Sequence, residues 1–144
     1  MRVSEAIGNG LVAGSAGTAA MTLSSTLEMR LRGRRPSIVP ARAAAKVLGV
    51  EPRHHERFAT IVHWGYGTCW GSARGLIGVL GIHGRAAAAL FFALVWTAEL
   101  VTLPALDIGV PPVSRWDIEE IAVDALHHLV YAGTTSAVFD RLEQ

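Results

Sequence analysis

Cysteine is almost missing from this chain. The single thiol, Cys69, leaves no partner for an internal disulfide and no Cys-x-x-Cys pair for zinc or redox chemistry. It reads as a small apolar residue packed between helices. Charge is scarce too: Asp, Glu, Lys and Arg make up 17% of the 144 residues, against 51% hydrophobic, which lies toward the membrane end of the usual range. Catalytic signatures are absent as well, with no Gly-x-Ser-x-Gly elbow and no Walker motif. Gly8-Asn9-Gly10 and Gly14-Ser15-Ala16-Gly17 follow no strand. Hydrolytic or nucleotide-driven activity is therefore not expected, and an enzymatic role stays open.

The most informative absence is of charge inside the long apolar stretches. Four of them, 5–29, 58–82, 85–106 and 118–139, have the ~20 residues needed to cross a hydrocarbon core. A soluble helix carries a broad charged face opposite its apolar stripe. Here Arg74 is the only formal charge in 58–82, and Glu99 the only one in 86–106. The first and fourth stretches are weaker, because Asn9, Ser24, Asp124, His127 and His128 interrupt them. The expected fold is all-α: a single integral membrane four-helix bundle. An apolar run after Arg2 looks like a secretory signal, but Glu5 and the many glycines favour a retained first helix.

Basic residues are concentrated in one place. Eight of the thirteen, from Arg30 to Arg57, fall in the connection 30–57, opposed only by Glu51 and Glu56. The positive-inside rule puts that connection in the cytoplasm and both termini outside, as a multi-pass protein requires. Within it, 40–48 reads as a short helix with Pro40 in its first turn and Gly49 just past its end. Val39, Val47 and Leu48 beside Arg42 and Lys46 suit the interface of an anionic leaflet. A nucleic-acid partner is not expected, since no aromatics interleave with the basic run.

Small residues recur at helix-packing spacing: Gly67, Gly71 and Gly75; Gly10 and Gly14; Gly133 and Ala137. Such stripes let backbones approach where lipid supplies no hydrophobic drive. They also suit contacts to a second copy or to a larger membrane complex. Trp64, Trp70, Trp96 and Trp116 read as packing residues or interfacial anchors. Arg74 is expected to snorkel outward or to meet backbone carbonyls. His54, His55 and His83 fall in loops or at helix ends, where water reaches them.

The two halves share a faint repeat, with Thr26-Leu27-Glu28 matching Thr97-Ala98-Glu99. His63-x-x-Tyr66 likewise matches His128-x-x-Tyr131. Two tandem helix pairs of this kind are related by an axis along the membrane normal. Glu28, His63, Glu99, Asp124 and His128 then lie in one membrane half. His63, Tyr66, Trp70 and Arg74 share one helix face, as do Asp124, His128, Tyr131 and Thr135. Ionisable groups at membrane depth turn toward each other or toward a cavity, so this cluster is the candidate site.

Four readings of the cluster stand. Glu28, His63, Glu99, Asp124 and His128 offer carboxylate and imidazole ligands for a transition metal, although only Asp124-x-x-His127 approximates a di-metal motif. Haem would need His63 and His127 or His128 as axial ligands, with Gly67 making room. A proton or ion path would use the same groups as relays. A purely structural role would have them fix helix register within an accessory subunit.

Thr18-Ala19-Ala20-Met21 with Glu28, the proline-bearing basic connection, His63-x-x-Tyr66-Gly67-x-x-x-Gly71 and the Glu99 helix together resemble the YagU-like bacterial inner-membrane proteins. The resemblance implies a multi-helix protein of the bacterial inner membrane with no established reaction. It also implies a link to acid stress, which suits the proton or ion path, and it brings no catalytic residue.

Overall fold

The computed structural model describes all 144 residues and contains five α-helices and no strand. They are α1 (Val3–Arg32), α2 (Val39–Leu48), α3 (His55–Val79), α4 (Gly84–Ala105) and α5 (Ile118–Leu142), with a short 3-10 turn at Val113–Arg115. The four long helices match the apolar stretches of the sequence to within a few residues. Local signals explain their ends. Glu5 accepts from the backbone N–H and the guanidinium of Arg2 at the start of α1. Gly33 and Gly49 end α1 and α2 at φ +64° and +65°, a left-handed conformation that side chains resist.

Successive long helices run antiparallel, which leaves α3 and α5 parallel to each other. α1 packs between α3 and α5, and α4 leans mainly on α5 with a lesser contact to α3. The α1–α3 seam is made by glycines. A methyl group at Gly71 would fall on the Gly10 carbonyl oxygen and the Gly14 backbone, and one at Gly14 would stand 2.6 Å from the Thr68 carbonyl oxygen. Gly17 makes the equivalent approach to α5, against Thr135 and Tyr131. These backbones touch because no side chain intervenes. Gly133 differs: nothing lies within 4 Å of its absent side chain, and Ala137 is exposed, so this pair faces outward rather than packing in the bundle.

Where α3, α4 and α5 meet, Ile77, Ala87, Phe91, Val95, Tyr131 and Ala132 form the apolar core. It is small, since 23 of 144 residues are buried. Much of the apolar surface points outward instead. Leu23, Leu27, Ile61, Leu80, Val101 and Leu129 each keep more than half of their area free. α4 is the one helix long and apolar enough to cross a membrane, and with 17% of its apolar window buried it is not the core helix of this bundle. α1, α3 and α5 fall below that mark because hydroxyls, histidines and acids interrupt them.

Two expectations are corrected. Arg74 does not snorkel: it is wholly buried, its Nε donates to Ser136 Oγ at 3.2 Å, and it forms an ion pair with Asp140. Its guanidinium also lies 4.5 Å over the Phe139 ring. An arginine this close to two hydroxyl- and carboxylate-bearing turns of α5 gains more inward than by reaching out. Cys69, expected between helices, is exposed, because it lies on the opposite side of α3 from the glycine seam.

Candidate functional site

Polar side chains gather in the half of the bundle next to the basic connection, on the inner faces of α1, α3, α4 and α5. Antiparallel packing brings the end of α1, the start of α3, the later half of α4 and the earlier half of α5 to one level. Within that level the five residues singled out from the sequence fall into three groups.

Glu99, Asp124 and His128 come together between α4 and α5. His128 Nε2 lies 2.6 Å from Glu99 Oε2, and the imidazole is almost fully buried while the carboxylate keeps 28% exposure. The other ring nitrogen, Nδ1, sits 2.9 Å from the backbone carbonyl of Asp124. A carbonyl only accepts, so Nδ1 carries a hydrogen and the tautomer is assigned by its partner. Asp124 Oδ2 takes a hydrogen bond of 2.8 Å from Trp96 Nε1 and stands 3.7 Å from His128 Nδ1. Trp96 is therefore part of the cluster, which a reading of it as packing or anchor did not foresee.

Glu28 belongs to a second group. Arg34 holds its carboxylate bidentately, with Nη2 at 2.9 Å and Nε at 3.2 Å, and Arg32 adds a contact at 3.1 Å. The Glu28 carboxylate raises the pKa of Arg34 above its usual value. On the inner side, Glu28 Oε2 is 3.9 Å from His127 Nε2, a buried atom with no hydrogen-bond partner, while His127 Nδ1 meets Ser24 Oγ at 2.9 Å. At that separation the two atoms share no direct hydrogen bond.

His63 forms the third group, on the α1–α3 seam, where its Nε2 lies 2.9 Å from Thr22 Oγ1. The Thr22 hydroxyl donates its hydrogen to the Thr18 carbonyl at 2.7 Å, so His63 is the donor in this pair. Consecutive residues of a helix diverge by about 100°. His127 therefore faces α1 and His128 faces α4, and two imidazoles that look equivalent in sequence serve different groups.

The repeat is unequal in structure. Glu99 touches His128, whereas their counterparts Glu28 and His63 have separate partners. Tyr131 is buried and donates to the Gly67 carbonyl at 2.6 Å, whereas Tyr66 is 57% exposed.

No group of three or more His, Cys, Asp or Glu side chains stands together in a way that could hold a metal ion. The space that haem would need beside Gly67 is closed by Thr18 and by the Tyr131 hydroxyl. What the Glu99–His128 contact does accommodate is a proton. With Nδ1 already protonated, one hydrogen lies on the Nε2–Oε2 line, giving either an imidazolium carboxylate pair or a neutral imidazole beside a carboxylic acid. No known protein family, curated protein or solved structure matches this chain.

Proposed function

We propose that the chain is a four-span membrane protein that relays protons across the bilayer through Glu99 and His128. The bilayer reading rests on an inside-out distribution of chemistry. Large aliphatic side chains cover the outer faces, while the hydroxyls, acids and imidazoles of the cluster turn inward, where His63 meets Thr22, His127 meets Ser24 and Asp124 meets Trp96. Glycine seams favour the same medium, since close backbone approach is how helices associate where hydrophobic drive is missing.

The 2.6 Å Glu99–His128 contact carries the proton reading. Its imidazole is buried and held by the backbone, and its carboxylate is partly open, so a proton has one route in. Asp124 Oδ2 accepts from the Trp96 N–H and stands 3.7 Å from Nδ1, on the far side of the ring from the shared hydrogen, where its negative charge favours the imidazolium form. The Glu28–His127 group lies toward the basic end, where a proton would arrive from the cytoplasm.

Reconstitution tests this directly. Liposomes loaded with a pH-sensitive dye should acidify faster after an external acid pulse when they contain the protein, and Glu99→Gln should return them to the rate of empty vesicles. Wild-type protein that leaves the rate at the empty-vesicle level removes the proton reading. That result would favour an accessory subunit or homo-oligomer, for which the open face at Leu126, Leu129, Gly133 and Ala137 offers a surface to a neighbouring helix.

A further inference from the structure

At the basic end, α2 lies across the bundle with Ala41 buried beneath it, and Lys46 Nζ ties it to the α4–α5 connection through the Asp107 carbonyl at 3.3 Å. Two adjoining cavities open beside this helix and share Arg42 and His55 as a common wall. The wider, about 600 Å³, is an open mouth where Arg42, Arg53 and His55 face Glu51. The narrower, about 100 Å³, is apolar and more enclosed, running between Ile38 and Phe58.

Neither Arg42 nor Arg53 has a carboxylate partner, although Arg32, Arg34 and Arg74 all do. Two guanidinium groups against the single Glu51 carboxylate leave one net positive charge at the mouth. That balance matches a monoanionic phosphodiester, whose oxygens a guanidinium fork can bind in pairs. Beyond the shared wall of Arg42 and His55 the annex is lined by Ile38, Ala41, Pro52 and Phe58, a surface that accepts hydrocarbon. Around the opening Ile38, Val47, Leu48 and Val50 stand exposed, as residues do that meet the boundary of a leaflet.

We infer that this composite cavity binds an anionic phospholipid, with the phosphate at Arg42 and Arg53 and the first acyl carbons between Ile38 and Phe58. The inference rests on the bilayer reading above and gives the basic connection a defined ligand beyond its role in orientation. A free phosphate would use the arginines and leave the annex empty, so a lipid fits the shape better.

Native mass spectrometry of the full chain, stripped of lipid in detergent and then offered phosphatidylglycerol or phosphatidylcholine, tests the site. Phosphatidylglycerol should bind preferentially, and Arg42→Gln with Arg53→Gln should lower that binding about tenfold. Arg30→Gln with Arg35→Gln removes the same charge outside the cavity and should leave binding unchanged. Equal loss in both double variants, or no preference between the lipids, overturns the site. Displacement of the lipid by excess inorganic phosphate overturns the lipid in favour of the free anion. A chain recovered without detergent sinks the bilayer reading alone. If that soluble chain still pelleted with phosphatidylglycerol vesicles through Arg42 and Arg53, the lipid site would stand.

Discussion

Arg74 of α3 and Asp140 of α5 pair across the end of the bundle opposite the basic connection, and the guanidinium is completely buried while the carboxylate keeps 35% exposure. Such a pair contributes less to stability than its geometry implies, because desolvation offsets much of the attraction. Breaking it from one side is another matter, since the remaining charge has no outlet.

Asp140→Asn should therefore destabilise the protein by about 2 kcal/mol, less than for a fully buried pair because Asp140 is partly solvated. Arg74→Met in the Asp140→Asn background should recover most of that loss by removing the stranded charge. Thermal unfolding in detergent reads both, and a double variant no better than Asp140→Asn contradicts the pairing.

Glycines offer a sharper contrast, because identical substitutions should have opposite outcomes. Gly71→Ala drives a methyl group into α1 and should cost about 1–3 kcal/mol or separate the seam. Gly8→Ala and Gly65→Ala meet nothing within 4 Å and should be neutral or stabilise the helix by up to about 1 kcal/mol. Unfolding midpoints in detergent decide the matter, and equal effects at Gly71 and Gly65 would deny the α1–α3 contact.

Much of this architecture was legible in the chain itself. Unbroken apolar length marked α4, and Pro40 and Gly49 bracketed α2 within a residue. Rotational phase was harder to read. Spacing put Asp124 and His128 on one face, and they do share a partner network, but it could not tell that His127 turns to α1 and leaves His128 to Glu99. The Gly133 and Ala137 pair has the same spacing as Gly67 and Gly71, yet only the latter faces another helix. Tertiary partners decide such cases: Ser136 and Asp140 draw Arg74 inward, and no pattern within α3 signals them.

Trp96 anchors the candidate site through one hydrogen bond, so its removal should be felt at Asp124. Trp96→Phe keeps the apolar contact with Phe92 but takes away the indole N–H, leaving Asp124 Oδ2 without its donor at a cost of about 1–3 kcal/mol. Asp124→Asn should cost less in the Trp96→Phe background than in the wild type, because the two share that bond. Strict additivity in the double variant would separate Trp96 from the cluster.

Cys69 gives the bilayer reading its simplest test, since it is the only thiol and is exposed near the middle of α3. If lipid surrounds that surface, a membrane-impermeant maleimide should leave Cys69 unlabelled in native vesicles, and a lipid-soluble maleimide should reach it. The reference is Ser37→Cys in a Cys69→Ser chain, a position exposed in the basic connection. It should react with the impermeant reagent in inverted vesicles and stay protected in intact spheroplasts, as a cytoplasmic connection requires. Should Cys69 react with the impermeant reagent as fast as Ser37→Cys, water rather than lipid would cover α3, and the inward-turned acids and imidazoles would be the polar core of a water-exposed bundle.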